Sequence, residues 1–451
     1  MKKIGQILRN KEIMGRIMFT ILILFVFRIG AQITVPGVKI ESDLQSYLTS
    51  NNALALMNIL GGGTLQTFSI FALGVSPYIT AQIIVSLLAT DVLPALTELK
   101  RQGQYGMKKM EMATRYLALM LGAVQAYGII QTLRSADASY ISFNVGQYEW
   151  LTYIYVIVIM MAGSMLVMWL GDQISVKGIG NGISMIIFAG IVCSLPNQIM
   201  SAFSQWIGTT LGTGKELTGV FQFLLYILAY LLIISFVTFI ELSKRKIPVQ
   251  HSGKGGQTQS MAKASFLPIK VNSAGVIPVI FASSIMMAPS VIVAFISPEN
   301  TDAAWLGIFN SSLLFEMPGG WKMPWGLLIY IALIIVFSFF YANIQINPQE
   351  LAENFQKNGS YIPGIRPGNE TERYVRKVLN RVTCIGAIAL AFIAALPPIL
   401  TMSGIFGSNT SLALGGTGLI IIVGVALELN SQIDGLLAGK SFDEVVASGG
   451  R

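Results

Sequence analysis

Apolar residues come in long, nearly uninterrupted runs along most of the chain, separated by shorter polar stretches. A helix that crosses a bilayer needs roughly 20 mostly apolar residues to match the hydrocarbon thickness. Ten runs meet that length, at about 17–35, 68–90, 116–133, 151–170, 179–200, 219–241, 273–297, 325–346, 382–400 and 410–430. They predict an all-α integral membrane protein with ten spans. The first, fourth, sixth and eighth are almost purely apolar. The second, fifth and tenth are diluted with Gly, Ser, Thr and Asn, which suits helices that face protein or water rather than lipid. The first run has full span length and no small-residue cleavage site after it, so it reads as a span and not as a removable leader.

Composition points the same way. Of 451 residues, 53% are hydrophobic and 12% charged, against roughly 25% charged in a soluble domain. Lys and Arg set the orientation. Residues 1–16, 91–115, 171–178, 242–272, 347–381 and 431–451, all on one side of the ten spans, carry 25 of the 30 basic residues. Both termini are therefore expected in the cytoplasm. The formal charge of +8 is mostly this topology signal and by itself says little about nucleic acid. Two cysteines, Cys193 and Cys384, lie in apolar runs, and His251 is the single histidine. That leaves no disulfide framework and little material for a thiolate or histidine metal site or a histidine triad.

Two of the basic loops exceed what topology needs. Residues 242–272 contain Lys244-Arg245-Lys246 and then His251-Ser-Gly-Lys254-Gly-Gly. Residues 347–381 contain Tyr361-Ile-Pro-Gly-Ile-Arg366-Pro-Gly368, followed by Arg373, Arg376, Lys377 and Arg381. They read either as solvated positive-inside loops or as docking surfaces for an anionic partner, such as ribosomal RNA or the acidic face of a motor. The prolines and glycines around Arg366 favour a defined turn there. The stretch Gly253-Lys-Gly-Gly256 lacks the spacing of a phosphate-binding loop and the Ser or Thr that follows its lysine.

An internal repeat underlies the spans. Gly74-Val-Ser-Pro77-Tyr-Ile79-Thr-Ala81 and Gly275-Val-Ile-Pro278-Val-Ile280-Phe-Ala282 match at five of eight positions without a gap. Gly180-Asn-Gly182-Ile183 resembles Gly416-Thr-Gly418-Leu419. The first pair belongs to spans two and seven, the second to spans five and ten. A tandem unit of five helices must enter the membrane from opposite sides, which gives two inverted halves with a functional site between them. Residues 201–218, on the outer side, would join residues 1–200 to residues 219–430, with 431–451 as a cytoplasmic tail.

The repeat interface carries almost no ionisable groups. Arg28 lies within the first span, while Asp172, Glu241 and Glu428 sit at span ends. Ion- and proton-coupled transporters rely on buried carboxylates or histidines near the midplane. Here the interface offers Val75, Ile79, Ile183, Ile187, Ile280 and the Ile420-Ile421-Ile422 run. Each reads singly as ordinary packing. Jointly they could close a pore to water and ions by dewetting. Before span two, Gly61-Gly62-Gly63-Thr-Leu65-Gln-Thr-Phe68-Ser-Ile70-Phe reads either as a mobile or re-entrant half-helix or as a loop that merely starts the span.

Several stretches together resemble the SecY family, the channel subunit of the protein translocon. They are Phe27-Arg-Ile-Gly30, Ser69-Ile-Phe-Ala-Leu-Gly74, Met168-Trp-Leu-Gly171, Gly178-Ile-Gly-Asn-Gly-Ile-Ser184, Lys270-Val-Asn-Ser-Ala-Gly-Val-Ile-Pro278, Phe281-Ala-Ser-Ser284, Phe339-Phe-Tyr341, Pro363-Gly-Ile-Arg-Pro-Gly368 and Gly415-Gly-Thr417. The resemblance covers nearly the whole chain, with a length and spacing like those of bacterial members. It implies ten helices in two inverted five-helix halves around an hourglass pore that opens sideways. The pore ring would comprise Val75, Ile79, Ile183, Ile187, Ile280 and Ile421. The family commonly has isoleucine where this chain has Val75, so the ring stays aliphatic but is slightly smaller there. A plug would lie at about 61–72, with Gly61, Gly62, Gly63, Leu65, Phe68 and Ile70. The lateral gate would part spans two and three from seven and eight, with Thr80, Gln125 and Asn272 as polar gate residues. Lys244, Arg245, Lys246, Lys254, Arg366 and Arg373 would form the docking surface for the SecA motor or the ribosome and its RNA. The small subunits SecE and SecG, signal peptides, unfolded precursors and membrane lipids complete the implied partners; no cofactor or metal is implied. The site would be the cytoplasmic membrane.

Two other classes share part of the pattern. A secondary transporter of a small solute would use the same inverted repeat but needs a polar midplane site. An intramembrane enzyme needs a nucleophile with a base or paired carboxylates, and Ser184 and Ser284 have no His or Lys within their spans.

Overall fold

The computed structural model describes residues 10–40, 44, 48, 54, 57–58, 61–89, 93–135, 141–143, 149–208, 216–251, 265–296, 308–309, 315–316, 322–403 and 416–448. Helix α1 (Lys11–Gly30) begins where the Asn10 side chain accepts the Glu12 amide, with Glu12 in the first turn and Arg28 in the last, both favourable to the helix dipole. Next come α2 (Ser76–Leu88), the short amphipathic α3 (Pro94–Arg101), α4 (Gln104–Ser135), α5 (Glu149–Lys177) and α6 (Gly182–Phe203). The chain continues through α7 (Glu216–Leu242), α8 (Ile277–Ile296), α9 (Trp325–Gln345), the amphipathic α10 (Pro348–Lys357), α11 (Asn369–Ser403) and α12 (Gly416–Ser448).

Among the described residues, eight helices are long and apolar enough to cross a membrane, and Ser76–Leu88 and Ile277–Met286 are shorter apolar helical stretches. Large apolar side chains such as Phe25, Leu232 and Phe239 point outward from these helices. Span-length helices with apolar outer faces make this a multi-pass membrane protein. Several hydroxyls in these helices are satisfied locally: Thr20, Thr114, Thr238, Ser283 and Ser338 each donate to the carbonyl four residues earlier. No bilayer water is then needed to satisfy them.

The structure corrects several expected boundaries. Spans two and seven were expected from 68 and 273, but their helices start at Ser76 and Ile277. The reason is common to both. Gly74 has φ +54° and Gly275 has φ +64°, left-handed values that end helical geometry, and Pro77 and Pro278 occupy first turns where a missing N–H costs nothing. Elsewhere helices outrun their apolar segments. Span three lies within α4, span four within α5 and span nine within α11, and the expected tail after 430 is helical to Ser448. Charged turns continue these helices into the aqueous layer. Of the expected outer hinge, 201–218, the described residues are the end of α6, a π-helical turn at Ser204–Gly208 and the start of α7, and 209–215 lie outside them. Trp206 in that turn is buried against Tyr226, ring centroids 5.2 Å apart.

An all-α fold was expected; the structure is mostly helical but adds small sheets outside the spans. Strands β1 (Val38–Ile40) and β2 (Ile141–Phe143) pair antiparallel, as do β5 (Phe315–Glu316) and β6 (Lys322–Met323). The basic loops build a three-stranded antiparallel sheet of β3 (Lys244–His251), β4 (Ser265–Lys270) and β7 (Ser360–Tyr361), in the order β4-β3-β7.

Packing places α2 against α4, α4 against α5, α5 against α6, and α1 against α5 and α6. In the second group α7 packs on α11 and α12, α8 on α9, and α9 on α11. The groups meet along two seams: α6 with α12, and α4 and α2 with α8.

Candidate functional site

Between the seams, the helices that carry the repeat motifs converge. Gly171 and Gly182 let α5 and α6 touch backbone to backbone: a methyl group on Gly182 would sit 1.7 Å from the Gly171 carbonyl oxygen. The Asn181 side chain accepts the amides of Ile183 and Ser184 and fixes the start of α6. Ile183 and Ile187 then lie one turn apart on α6, and α2, α8 and α12 bring Val75, Ile79, Ile280 and Ile421 to them. All six side chains fall in one apolar cluster, which Phe27, Ile70 and Phe71 also join. Val75 is 1% exposed and Ile187 and Ile421 are 4% exposed; Ile79, Ile183 and Ile280 are half-buried. The six contribute branched hydrocarbon and nothing that can hold a proton, a metal or a solute.

Residues 61–75 pack on this waist as a knot of turns, so of the two readings open for this stretch it is the loop leading into the span, not the half-helix, that the structure has. Tertiary hydrogen bonds override the amphipathic pattern. The Asn58 side chain accepts the amides of Leu65 and Gln66, at 3.2 and 3.3 Å. The Thr64 hydroxyl bonds the carbonyls of Gly61 (3.0 Å) and Phe71 (2.8 Å). Phe68 is fully buried at φ +40°, a left-handed conformation rare for a side chain of its size, which the surrounding bonds hold. The knot is tied outward as well. Ile70 N–H donates to Ile33 and Val35 N–H to Phe68. Thr67 donates to the Ala31 carbonyl and Ser164 to that of Gly74. Phe71 stacks on Phe27 at 5.8 Å, in space left by the missing Cβ of Gly30. Of the expected plug residues, Leu65 and Phe68 face inward at 0% exposed, and Ile70 reaches the waist.

The polar residues expected at the lateral gate are not joined to one another by hydrogen bonds. Thr80 turns back to the Ser76 carbonyl, at 3.0 Å. Gln125, on α4, has a buried side-chain oxygen that meets no hydrogen-bond donor among the described residues. Asn272, 4% exposed, donates through Nδ2 to the Glu241 carboxylate at the end of α7. The seam itself is apolar and aromatic. Ile79, Ile83 and Leu87 of α2 cluster with Ala274, just before α8, with Phe281 of α8 and with Phe337, Phe340 and Tyr341 of α9. Phe281 stacks on Phe337 at 4.7 Å. Sequence reasoning gave no seam role to Ile83, which carries no signal apart from other core residues, nor to Phe281 and Tyr341, although both lie in stretches that carry the family resemblance. It also gave no role to Arg28, although an arginine inside a span was such a signal.

Both basic loops belong to one folded body. Ile247, Ile269, Ile362, Val375 and Leu379 form a small core beneath the sheet and the start of α11. Lys244, Arg245, Lys246, Arg366 and Arg373 stand exposed around it; Lys254 lies outside the described residues. Arg366 sits between left-handed Gly364 (φ +81°) and Gly368 (φ +103°), and its carbonyl accepts the Thr371 hydroxyl at 2.9 Å. Its backbone is thus fixed while its guanidinium is presented to solvent.

Fold and site together define a class: a multi-pass helical membrane protein with an aliphatic waist between two helix groups, covered from one side by a folded loop. The SecY family profile matches residues 69–430. The protein translocase subunit SecY of Streptococcus gordonii is 41% identical over 432 residues, 96% of this chain and 95% of that protein. The SecY subunit of Mycoplasma capricolum is 40% identical over 443 residues, 97% of this chain and 89% of its own. The chain belongs to the SecY family. Among solved structures, that of a protein conducting channel has a TM-score of 0.65 at 17% identity, covering 94% of this chain and 93% of its own. Sec61 in the canine ribosome–channel complex from the endoplasmic reticulum has a TM-score of 0.62 at 16% identity, covering 94% and 93%. At those identities the likeness is one of fold.

Proposed function

We propose that this protein is the protein-conducting channel of a bacterial translocase, passing unfolded polypeptides across the cytoplasmic membrane and releasing apolar segments sideways into lipid. Its ten helices form two inverted halves, α1, α2, α4, α5 and α6 against α7, α8, α9, α11 and α12, joined at 201–218, with both termini cytoplasmic. The observation that carries the reading is the single cluster of Val75, Ile79, Ile183, Ile187, Ile280 and Ile421, drawn from both halves and covered by the knot at 61–75.

The chemistry suits a channel that must accept chains of any sequence. A ring of branched aliphatics excludes water and ions by dewetting. It offers no hydrogen bond to a passing backbone, so release stays easy. A signal peptide's apolar core is about 7–15 residues long, and its escape through the α2–α8 seam gains roughly 25 cal/mol for each Å² of apolar area removed from water. The work of pushing comes from a partner, a SecA-type motor or a ribosome, received on the basic platform around Lys244–Lys246, Lys254, Arg366 and Arg373. Small subunits of the SecE and SecG type complete the channel within the lipid bilayer.

The test is reconstitution. The full chain, purified with the small subunits that accompany it, should support ATP-driven uptake of an unfolded precursor when a SecA-type motor is added. Replacing Ile183, Ile187 and Ile280 together by serine should raise precursor-free ion flux at least severalfold. Vesicles that take up no precursor would overturn the channel reading. Uptake with a serine waist as tight as the wild type would remove the seal from these residues.

A further inference from the structure

We propose that Arg28 is a latch that holds the 61–75 knot over the waist, a positioning residue for closure; this rests on the reading of the waist, with the knot covering it, as a closed channel. Placing a charged side chain inside a span costs several kcal/mol in lipid, so it persists where it has a task. Arg28 lies in the last turn of α1, half-buried. Its Nη1 donates to the carbonyl of Gly62 at 3.1 Å.

Gly62 is the point where a grip has the most effect. It is left-handed, at φ +79°, and its Cα lies directly against α6. A methyl group built on Gly190 would sit 2.2 Å from the Gly62 Cα. The knot is thus pressed against α6 on one side and held by α1 on the other. The other bonds that leave the knot, among them those of Thr67, Ser164, the Asn58 side chain and the amides of Val35 and Ile70, join neutral groups. The Arg28–Gly62 bond is charge-assisted, and such bonds are about twice as strong as neutral ones. The latch opens only when the Gly62 carbonyl is pulled away and water takes its place.

The experiment uses the full chain with its accompanying subunits in proteoliposomes. It compares wild type, Arg28→Ala, Arg28→Lys and Gly190→Ala, reading precursor-free ion flux and motor-driven uptake of one normal precursor and one with a weakened signal peptide. A hydrogen bond to a charged group is worth enough to shift an equilibrium by roughly tenfold or more. Arg28→Ala should therefore raise resting flux about tenfold and admit the weakened precursor, while uptake of the normal one is maintained. Arg28→Lys, which keeps the charge and one donor, should fall between. Should Arg28→Ala fail to accumulate, Arg28→Gln carries the same expectation. Gly190→Ala displaces Gly62 from the other side and should leak whatever stands at 28. A tight Arg28→Ala beside a leaking Gly190→Ala would overturn the latch and leave the seal intact. If both were tight, the sealing role of the knot itself would fall. Loss of normal uptake without gain of the weakened precursor would mark Arg28 as merely structural and also overturn the latch.

Discussion

At the scale of single residues, much of the waist's shape is set by side chains that are missing. The Gly182 hydrogen meets the Gly171 carbonyl where a methyl group would be 1.7 Å from the oxygen, and at Gly163 it would be 2.0 Å from the carbonyl of Ile70. Neither neighbour is a flexible side-chain tip that could turn aside; both are backbone. Gly182→Ala should therefore force α5 and α6 apart and lower stability by about 1–3 kcal/mol, the usual cost of overpacking, or more. Gly15 is the matching control. It lies within α1 with nothing inside 4 Å of an added Cβ, and alanine is the better helix former by about 1 kcal/mol. Gly15→Ala should leave the thermal unfolding midpoint in detergent unchanged or raised, while Gly182→Ala lowers it by several degrees. Equal midpoints for the two would show that the α5–α6 contact yields readily. The presence of these glycines was plain in the sequence, and so was the repeat they belong to. Which backbone each one faces was not, because that depends on helices brought together only by the tertiary fold.

At the scale of elements, local rules account for where helices start and fail where long-range pairing intervenes. The Gly-Val-x-Pro motif predicts a break, and α2 and α8 both begin two residues after a left-handed glycine. The long apolar helices were legible from hydropathy, eight of them span-length among the described residues and two, Ser76–Leu88 and Ile277–Met286, shorter. The sheet of β3, β4 and β7 was not. In β3 only Ile247 and Val249 show the alternation of a strand, amid Lys244, Arg245 and Lys246, and the partner strand β7 lies more than 100 residues further on. The knot at 61–75 was left open between a half-helix and a loop for the same reason, since its conformation depends on bonds to Asn58 and to residues 31–35. Asn272, which the family resemblance implies at the lateral gate, is a third case of long-range pairing: it lies between β4 and α8 and bonds Glu241, while the Val271 amide donates to Ser243 at 2.9 Å. Together these bonds clamp the strand-to-helix link onto the end of α7. A double-mutant cycle of Asn272→Ala and Glu241→Ala should give a coupling energy of about 1.5–3 kcal/mol, the range for a hydrogen bond to a charged group. The measurement is the unfolding free energy in detergent. A coupling near zero would mean that water replaces the bond at no cost.

At the scale of the whole molecule, the two helix groups make unequal contacts along their two seams. The α6–α12 seam runs beside the link at 201–218, where Trp206 packs on Tyr226. The opposite seam, α2 and α4 against α8, has no covalent link of that kind and is filled by Ile83, Ala274, Phe281 and Tyr341. Apolar packing of this sort is non-directional, so its cost of separation in lipid is small: the exposed side chains exchange one hydrocarbon neighbour for another. Polar cross-bridges would instead have to be broken one by one, and Thr80 and Asn272 bond within their own halves. A molecule that opens by swinging about the linked side should therefore part along this seam. Covalent closure tests the idea directly. In a chain with Cys193 and Cys384 replaced by serine, cysteine pairs placed at Ile83 and at Ala274 or Phe281 should form a disulfide in the resting protein. The oxidised protein should lose motor-driven uptake, and also lateral release of apolar segments, and both should return when the bond is reduced. Resting ion flux should stay at the wild-type level throughout, because the waist and the knot are untouched. Full uptake while the seam is locked would mean that the chain is threaded without the two groups separating there.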